Sequence, residues 1–244
     1  MSNNVFVWID QVNGEADPIA WEALGAGRSV VGDLGGQLVA LVLGENVEGL
    51  AEQAFQYGAD RALVASDATL KTFRLEPYAA LIIKLAQEQK PGAILMGASN
   101  PGLELSAYVA AKLGVGLAAD CIDLAVEDGS LVGARPVLIG NLIAKIAFGQ
   151  ARPQMATLRR RVFPMPEADP GRSGEIATVD PVLAEEDIPT KVEGFEVAAG
   201  EVSLTDANIV VSGGRGVGGP EGFAPVKALA EALVGQVNRG LAAI

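Results

Sequence analysis

The sequence predicts an α/β fold: a three-layer N-terminal domain built on a parallel sheet, followed by the first strand-loop-helix of a second α/β domain. Three observations predict it. Short aliphatic runs such as QLVALVLG and AILMGA read as strands buried on both faces. They alternate with segments of helical periodicity, the pattern of βαβ units. Near the end, the run ANIVVS leads through the glycine-rich GGRGVGG into another helical segment.

The elements follow in order. Val5 to Asp10 is the first strand. Asp17 and Pro18 then suit a helix start, since Asp accepts from free backbone N–H groups and Pro fits the first turn. That helix runs through PIAWEALGAGRSVVGDLG. Strands are expected at 37–44, 61–66 and 93–98, and helices at 47–57, 77–89 and 103–113, the last closed by Gly114. After Gly114 the pattern shifts to shorter strands at 120–124, 131–137, 141–148 and 155–161. These are expected to extend the sheet as antiparallel members. Residues 164–200 are rich in Pro, Gly and charge and read as an exposed linker, which puts the domain boundary near 190: 1–190, then 191–244. A strand at 207–212 and a helix at 221–237 close the chain. Phe223, Val226, Ala230, Leu233 and Val237 share one face of that helix.

Composition narrows the function. The 244 residues are 50% hydrophobic but only 5% aromatic, so the core is aliphatic. The net charge of −12 disfavours nucleic acid and anionic membranes. No apolar run approaches the ~20 residues of a membrane span. The start lacks a basic region followed by an apolar one, so no signal peptide and a cytoplasmic chain are expected. With no histidine, a Ser-His-Asp triad, an imidazole base and a His-ligated zinc site within this chain are excluded. One cysteine, Cys121, excludes an internal disulfide and a thiolate cluster. Redox chemistry would need a bound organic cofactor.

Three stretches carry candidate chemistry. Gly214, Gly216 and Gly219 have G-x-G-x-x-G spacing between a strand and a helix. Glycines there let backbone approach a ligand, the helix start offers N–H groups to an anion, and Arg215 adds a planar fork of donors. A glycine-rich turn with an incidental arginine carries comparable weight. The acidic ribose-binding residue of such a site would end the next strand, which is expected to be missing here. The turn at Gly97–Glu104 could seat a phosphate, but capping by Ser99 or Asn100 and close packing is the favoured reading. The segment Arg152–Arg161 holds four arginines, suited to an anion, an acidic partner or a solvated sheet edge. Cys121 reads as a small buried side chain.

Four stretches together resemble the alpha subunit of electron transfer flavoproteins, the FixB-like family: 16–36, 97–121, 134–163 and 207–223. RPQMAT followed by VVSGGRG is the most diagnostic part. The resemblance implies an adenine-nucleotide hydrolase-like first domain and a Rossmann-like FAD-binding second domain. It implies a heterodimer with a beta subunit, an electron carrier rather than an enzyme, and flavin-dependent dehydrogenases as donors. It places the cofactor at Gly213, Gly214, Arg215 and Gly216, with Arg215 as the GGRG arginine at the flavin nucleotide. The Ala-rich helices and the strand at 152–161 are the expected beta contacts. The family's later G-A-S-R, G-Q-T-G and histidine-bearing segments have no counterpart; Arg239 lies near the first but out of register. The chain is therefore expected to carry only the opening of the FAD site and to hold little FAD alone. A flavin-free interaction module and a nucleotide-binding protein are the alternative readings.

Overall fold

A computed structural model describes residues 2–195, 207, 209–234 and 241–243. The chain forms two compact units, Met1–Val192 and Glu193–Ile244.

The first unit begins with β1 (Val5–Trp8), a small hairpin of β2 (Gln11–Val12) and β3 (Glu15–Ala16), and helix α1 (Pro18–Leu34). Asp17 caps α1 by accepting from the Ile19 N–H at 3.1 Å, and Gly35 ends it in the left-handed region. Next come β4 (Leu38–Gly44), α2 (Glu48–Gln56), β5 (Arg61–Ser66), α3 (Leu75–Gln89), β6 (Ala93–Gly97) and α4 (Asn100–Leu113). The remainder is β7 (Leu117–Cys121), β8 (Asp123–Glu127), β9 (Ser130–Val137), β10 (Leu142–Ala147), β11 (Gln154–Leu158) and β12 (Glu175–Thr178).

Seven strands form one parallel sheet in the order β12-β5-β4-β1-β6-β11-β7. Alternating side chains feed two cores. Val5, Val7 and Val42 pack under α1 and α2, while Phe6, Trp8 and Leu41 pack against α3 and α4. Burial on both faces explains why β4 reads as an unbroken aliphatic run. The chain winds one way from β1 to β4 and β5, and the other way through β6, β11 and β7. The order therefore reverses between β1 and β6, where a crevice opens at the strand ends of such sheets.

Four expectations are corrected. The strands after Gly114 do not extend the sheet as antiparallel members. β7 and β11 join it in parallel, while β8, β9 and β10 form their own antiparallel sheet. The run read as one strand at 120–124 is broken in two. Asp120 sits at φ 58°, and the Ile122 N–H already donates to Ala134 in the second sheet. The Arg152–Arg161 segment is no solvated edge. Its core, β11, is buried between β6 and β7, and its arginines flank it at both ends. Of the linker expected at 164–200, residues 164–192 are mostly exposed as expected but are tied to this unit, and 196–200 lie outside the described residues. The Asp169 N–H donates to Gln56, Arg172 to the Phe55 carbonyl, and β12 pairs with β5 along the sheet edge. Short exposed strands between Pro and Gly are what edges tolerate.

The second unit contains β13 (Ile209–Val211), a 3₁₀ turn at Arg215–Val217, another at Pro220–Phe223, α5 (Ala224–Val234) and β14 (Leu241–Ala243). β13 and β14 pair in parallel, so a strand does follow the helix, contrary to expectation. Three residues of a terminal LAAI carry too little periodicity to show as a strand in sequence. Ala230 is buried and Phe223, Val226 and Leu233 are half-buried, which matches the expected apolar face. Val237 and Arg239 lie outside the described residues. Among the described residues no helix is long and apolar enough to cross a membrane.

Candidate functional site

The glycine-arginine turn lies between β13 and α5. The Val217 N–H donates to Gly214 at 3.1 Å and the Gly218 N–H to Arg215 at 3.2 Å, closing one 3₁₀ turn. Gly218 has φ 81°, a conformation that favours glycine. A Cβ on Gly213 would lie 2.8 Å from the Phe223 ring, so this glycine lets the turn close on the helix. Gly214 and Gly216 face open space. The N–H groups of Gly214, Arg215 and Gly216, at the head of this turn, make no hydrogen bond among the described residues. Arg215 is exposed and makes no ion pair among them. Free N–H donors beside a guanidinium fit an anionic group such as a pyrophosphate.

The second turn is closed by its own packing. Ser99 caps α4 by accepting from the Gly102 N–H at 3.0 Å. A Cβ on Gly102 would collide with the Gly97 carbonyl, and one on Gly97 would lie 2.5 Å from Ile19 of α1. The Ser99 cap and the two close approaches are what the capping interpretation expects.

Sequence reasoning missed the charged cluster at the topological switch. Asp10, just past β1, is buried, and burial raises its pKa against a hydrogen bond from Ser99. Glu22 is buried in α1 and likewise raised, chiefly by burial; it accepts from the Arg161 N–H at 2.8 Å. Arg160 holds Asp17 with two bonds of 2.9 and 2.7 Å. Arg159 grips Asp120 in the same way, at 3.0 and 2.5 Å. The arginines after β11 therefore bind internal carboxylates. The signal in sequence was an acid, Asp10, ending the otherwise apolar VFVWI. Cys121 is buried, and burial pushes its thiol up to about 11, as befits an unreactive packing residue.

A parallel α/β unit followed by a strand-glycine turn-helix-strand unit that carries an exposed arginine defines a two-part α/β protein. Comparison with known proteins specifies which. The electron transfer flavoprotein domain matches residues 5–184 and the electron transfer flavoprotein FAD-binding domain matches 203–244. Protein FixB of Clostridium saccharobutylicum is 42% identical over 98% of this chain and 72% of its own length. Protein FixB of Azorhizobium caulinodans is 40% identical over 94% of this chain and 64% of its own length. The electron transfer flavoprotein subunit alpha of Thermoanaerobacterium thermosaccharolyticum is 38% identical over 99% of this chain and 74% of its own length. The chain thus spans about two thirds to three quarters of these relatives. It belongs to the electron transfer flavoprotein alpha-subunit family, whose cofactor is FAD.

Proposed function

We propose that this chain acts as the alpha subunit of a heterodimeric, cytoplasmic electron carrier. It pairs with a beta subunit and receives electrons from flavin-dependent dehydrogenases. The observation that carries the reading is Arg215, exposed beside free backbone N–H groups at the head of a βα turn that lies within the FAD-binding match. FAD supplies the redox chemistry when bound. Gly213, Gly214 and Gly216 let the backbone come close to the cofactor. Arg215 contributes fixed positive charge and a planar pair of donors. The first unit supplies the scaffold on which the beta subunit docks.

Co-expression with the cognate beta subunit tests this. The expected product is a 1:1 complex by light scattering, with flavin absorbance travelling with it. A chain that stays monomeric with micromolar beta and carries no flavin would refute the assignment.

A further inference from the structure

Arg215 stands at the apex of a short loop whose base is closed by packing. Gly214, Arg215 and Gly216 are exposed, while Gly213 and Val217 on either side of them are half-buried. A Cβ on Gly213 would lie 2.8 and 3.2 Å from Cε1 and Cζ of the Phe223 ring and 3.1 Å from a Val217 methyl. The far end of the ring and the Val217 side chain thus both come down on Gly213. Val217 is also seated through its backbone. A Cβ on Gly222 would collide with the Val217 carbonyl, so glycine there lets that carbonyl reach the chain just before Phe223. Both feet of the loop, two residues before Arg215 and two after it, therefore rest on Gly222 and Phe223, which lead into α5.

This matters because the Arg215 side chain has little else to hold it: it is exposed and makes no ion pair among the described residues. An arginine on a free loop loses both side-chain and backbone freedom when it grips a ligand. A loop fixed at both feet has given up the backbone share beforehand, and its apex is presented in one place.

We propose that Phe223 is a positioning residue for the cofactor site: its ring holds the loop 213–217 so that the Arg215 guanidinium meets the negative charge of FAD. The proposal rests on the reading of Arg215 as a cofactor contact. Phe223 acts through Arg215 alone.

The test is a double-mutant cycle in the complex of the full chain with its beta subunit. Phe223→Leu keeps apolar bulk at the start of α5 but lacks the ring atoms that reach Gly213. Val217→Ala removes the other side chain over Gly213 and leaves the helix as it is. Each is made with Arg215 and with Arg215→Ala. Leu233→Ala is the control, on the same apolar face more than two turns further along. Fluorescence titration reads FAD affinity, redox titration of the loaded complex reads the midpoint potential, and a thermal melt reads folding. Phe223→Leu and Val217→Ala are each expected to weaken FAD binding roughly tenfold and to move the potential in the direction that Arg215→Ala moves it. In the Arg215→Ala background neither should change affinity or potential, because the group being positioned is gone. Leu233→Ala should lower the melt and leave FAD affinity and potential at parent values. An equal loss with and without Arg215, or a loss matched by Leu233→Ala, makes Phe223 a packing residue and overturns the proposal while leaving the cofactor site in place. Parent-like affinity and potential in Phe223→Leu overturn it as well. If Arg215→Ala itself behaves like the parent, the reading of Arg215 as a cofactor contact fails and the positioning role falls with it.

Discussion

Arg160 grips Asp17 through two hydrogen bonds, 2.9 and 2.7 Å, joining the end of β11 to the cap of α1 across 143 residues of sequence. Asp17 thus has two tasks, since the same carboxylate accepts from the Ile19 N–H. The two can be separated. Asp17→Asn keeps a capping acceptor and loses the charge. Asp17→Ala loses both and leaves half-buried Arg160 without this partner. Losing a cap costs about 1 kcal/mol. Losing hydrogen bonds to a charged group costs about 1.5–3 kcal/mol. Urea unfolding should rank parent, Asp17→Asn and Asp17→Ala in falling stability, with the Ala variant about 2.5–4 kcal/mol below parent. Equal losses in the two variants would show that the cap contributes nothing.

Asp10 and Glu22 make stability depend on pH in an unusual sense. Burial raises both pKa values, so the folded chain keeps protons that the unfolded chain has released. Their contribution therefore falls as pH rises from the ordinary carboxylate range through the raised values. Asp17 pushes Asp10 further up, and Ser99 and Arg160 hold it down. Asn at position 10 stays neutral and can still accept from Ser99. Asp10→Asn should melt like the parent near pH 4 and above it at neutral pH. A parent-to-variant gap that shrinks with rising pH would contradict this assignment.

Glu185 shows the opposite behaviour. Arg74, and after it Lys191, hold its carboxyl down at about 2. Arg74 reaches it with two bonds of 2.9 and 2.7 Å, and Thr190 donates to Glu76 at 2.9 Å. Together these pin 185–191 to the start of α3. The protection is complete above the ordinary Glu pKa and is lost as pH falls toward about 2. Glu185→Gln should therefore expose this segment to protease several times faster at neutral pH, as peptide mapping would reveal. Unchanged cleavage would mean that buried Ile188 alone anchors it.

The sequence was most readable where one physical rule acts locally. Asp17-Pro18 announces a cap, and Gly35 and Gly114 end helices in the left-handed region as glycine favours. Partnering across the sheet was not readable. Met155 and Ala156 look like any short apolar strand, and only the finished sheet seats them between β6 and β7. The arginines after β11 were ambiguous for the same reason. Their carboxylate partners, Asp17 and Asp120, lie 143 and 39 residues away. The candidate site was visible because its turn, Gly213 to Gly219, is contiguous in sequence. The separate sheet of β8, β9 and β10 was not visible, because alternation within a strand does not say which strand it pairs with.

Arg215 gives the most direct test of the cofactor assignment. It stands exposed where Gly214 and Gly216 leave open space, so nothing in the fold among the described residues requires its side chain. Substitution should leave folding intact and act only on what binds there. If the guanidinium contacts a negative group of FAD, its loss removes a charge-assisted bond of about 1.5–3 kcal/mol. FAD affinity of the complex with beta should then fall roughly ten- to a hundredfold in Arg215→Ala. Arg215→Lys keeps the charge but loses the planar fork, and should recover part of the affinity. A positive neighbour also favours the negative charge that reduction adds, so the midpoint potential should drop in Arg215→Ala and return partway in the Lys variant. Lys227→Ala, on the exposed face of α5, should leave both unchanged. Fluorescence titration with FAD and a redox titration of the loaded complex separate the outcomes. Lower affinity with an unchanged potential places Arg215 at the phosphates, away from the ring. Unchanged affinity and potential leave GGRG as a turn that serves the fold alone.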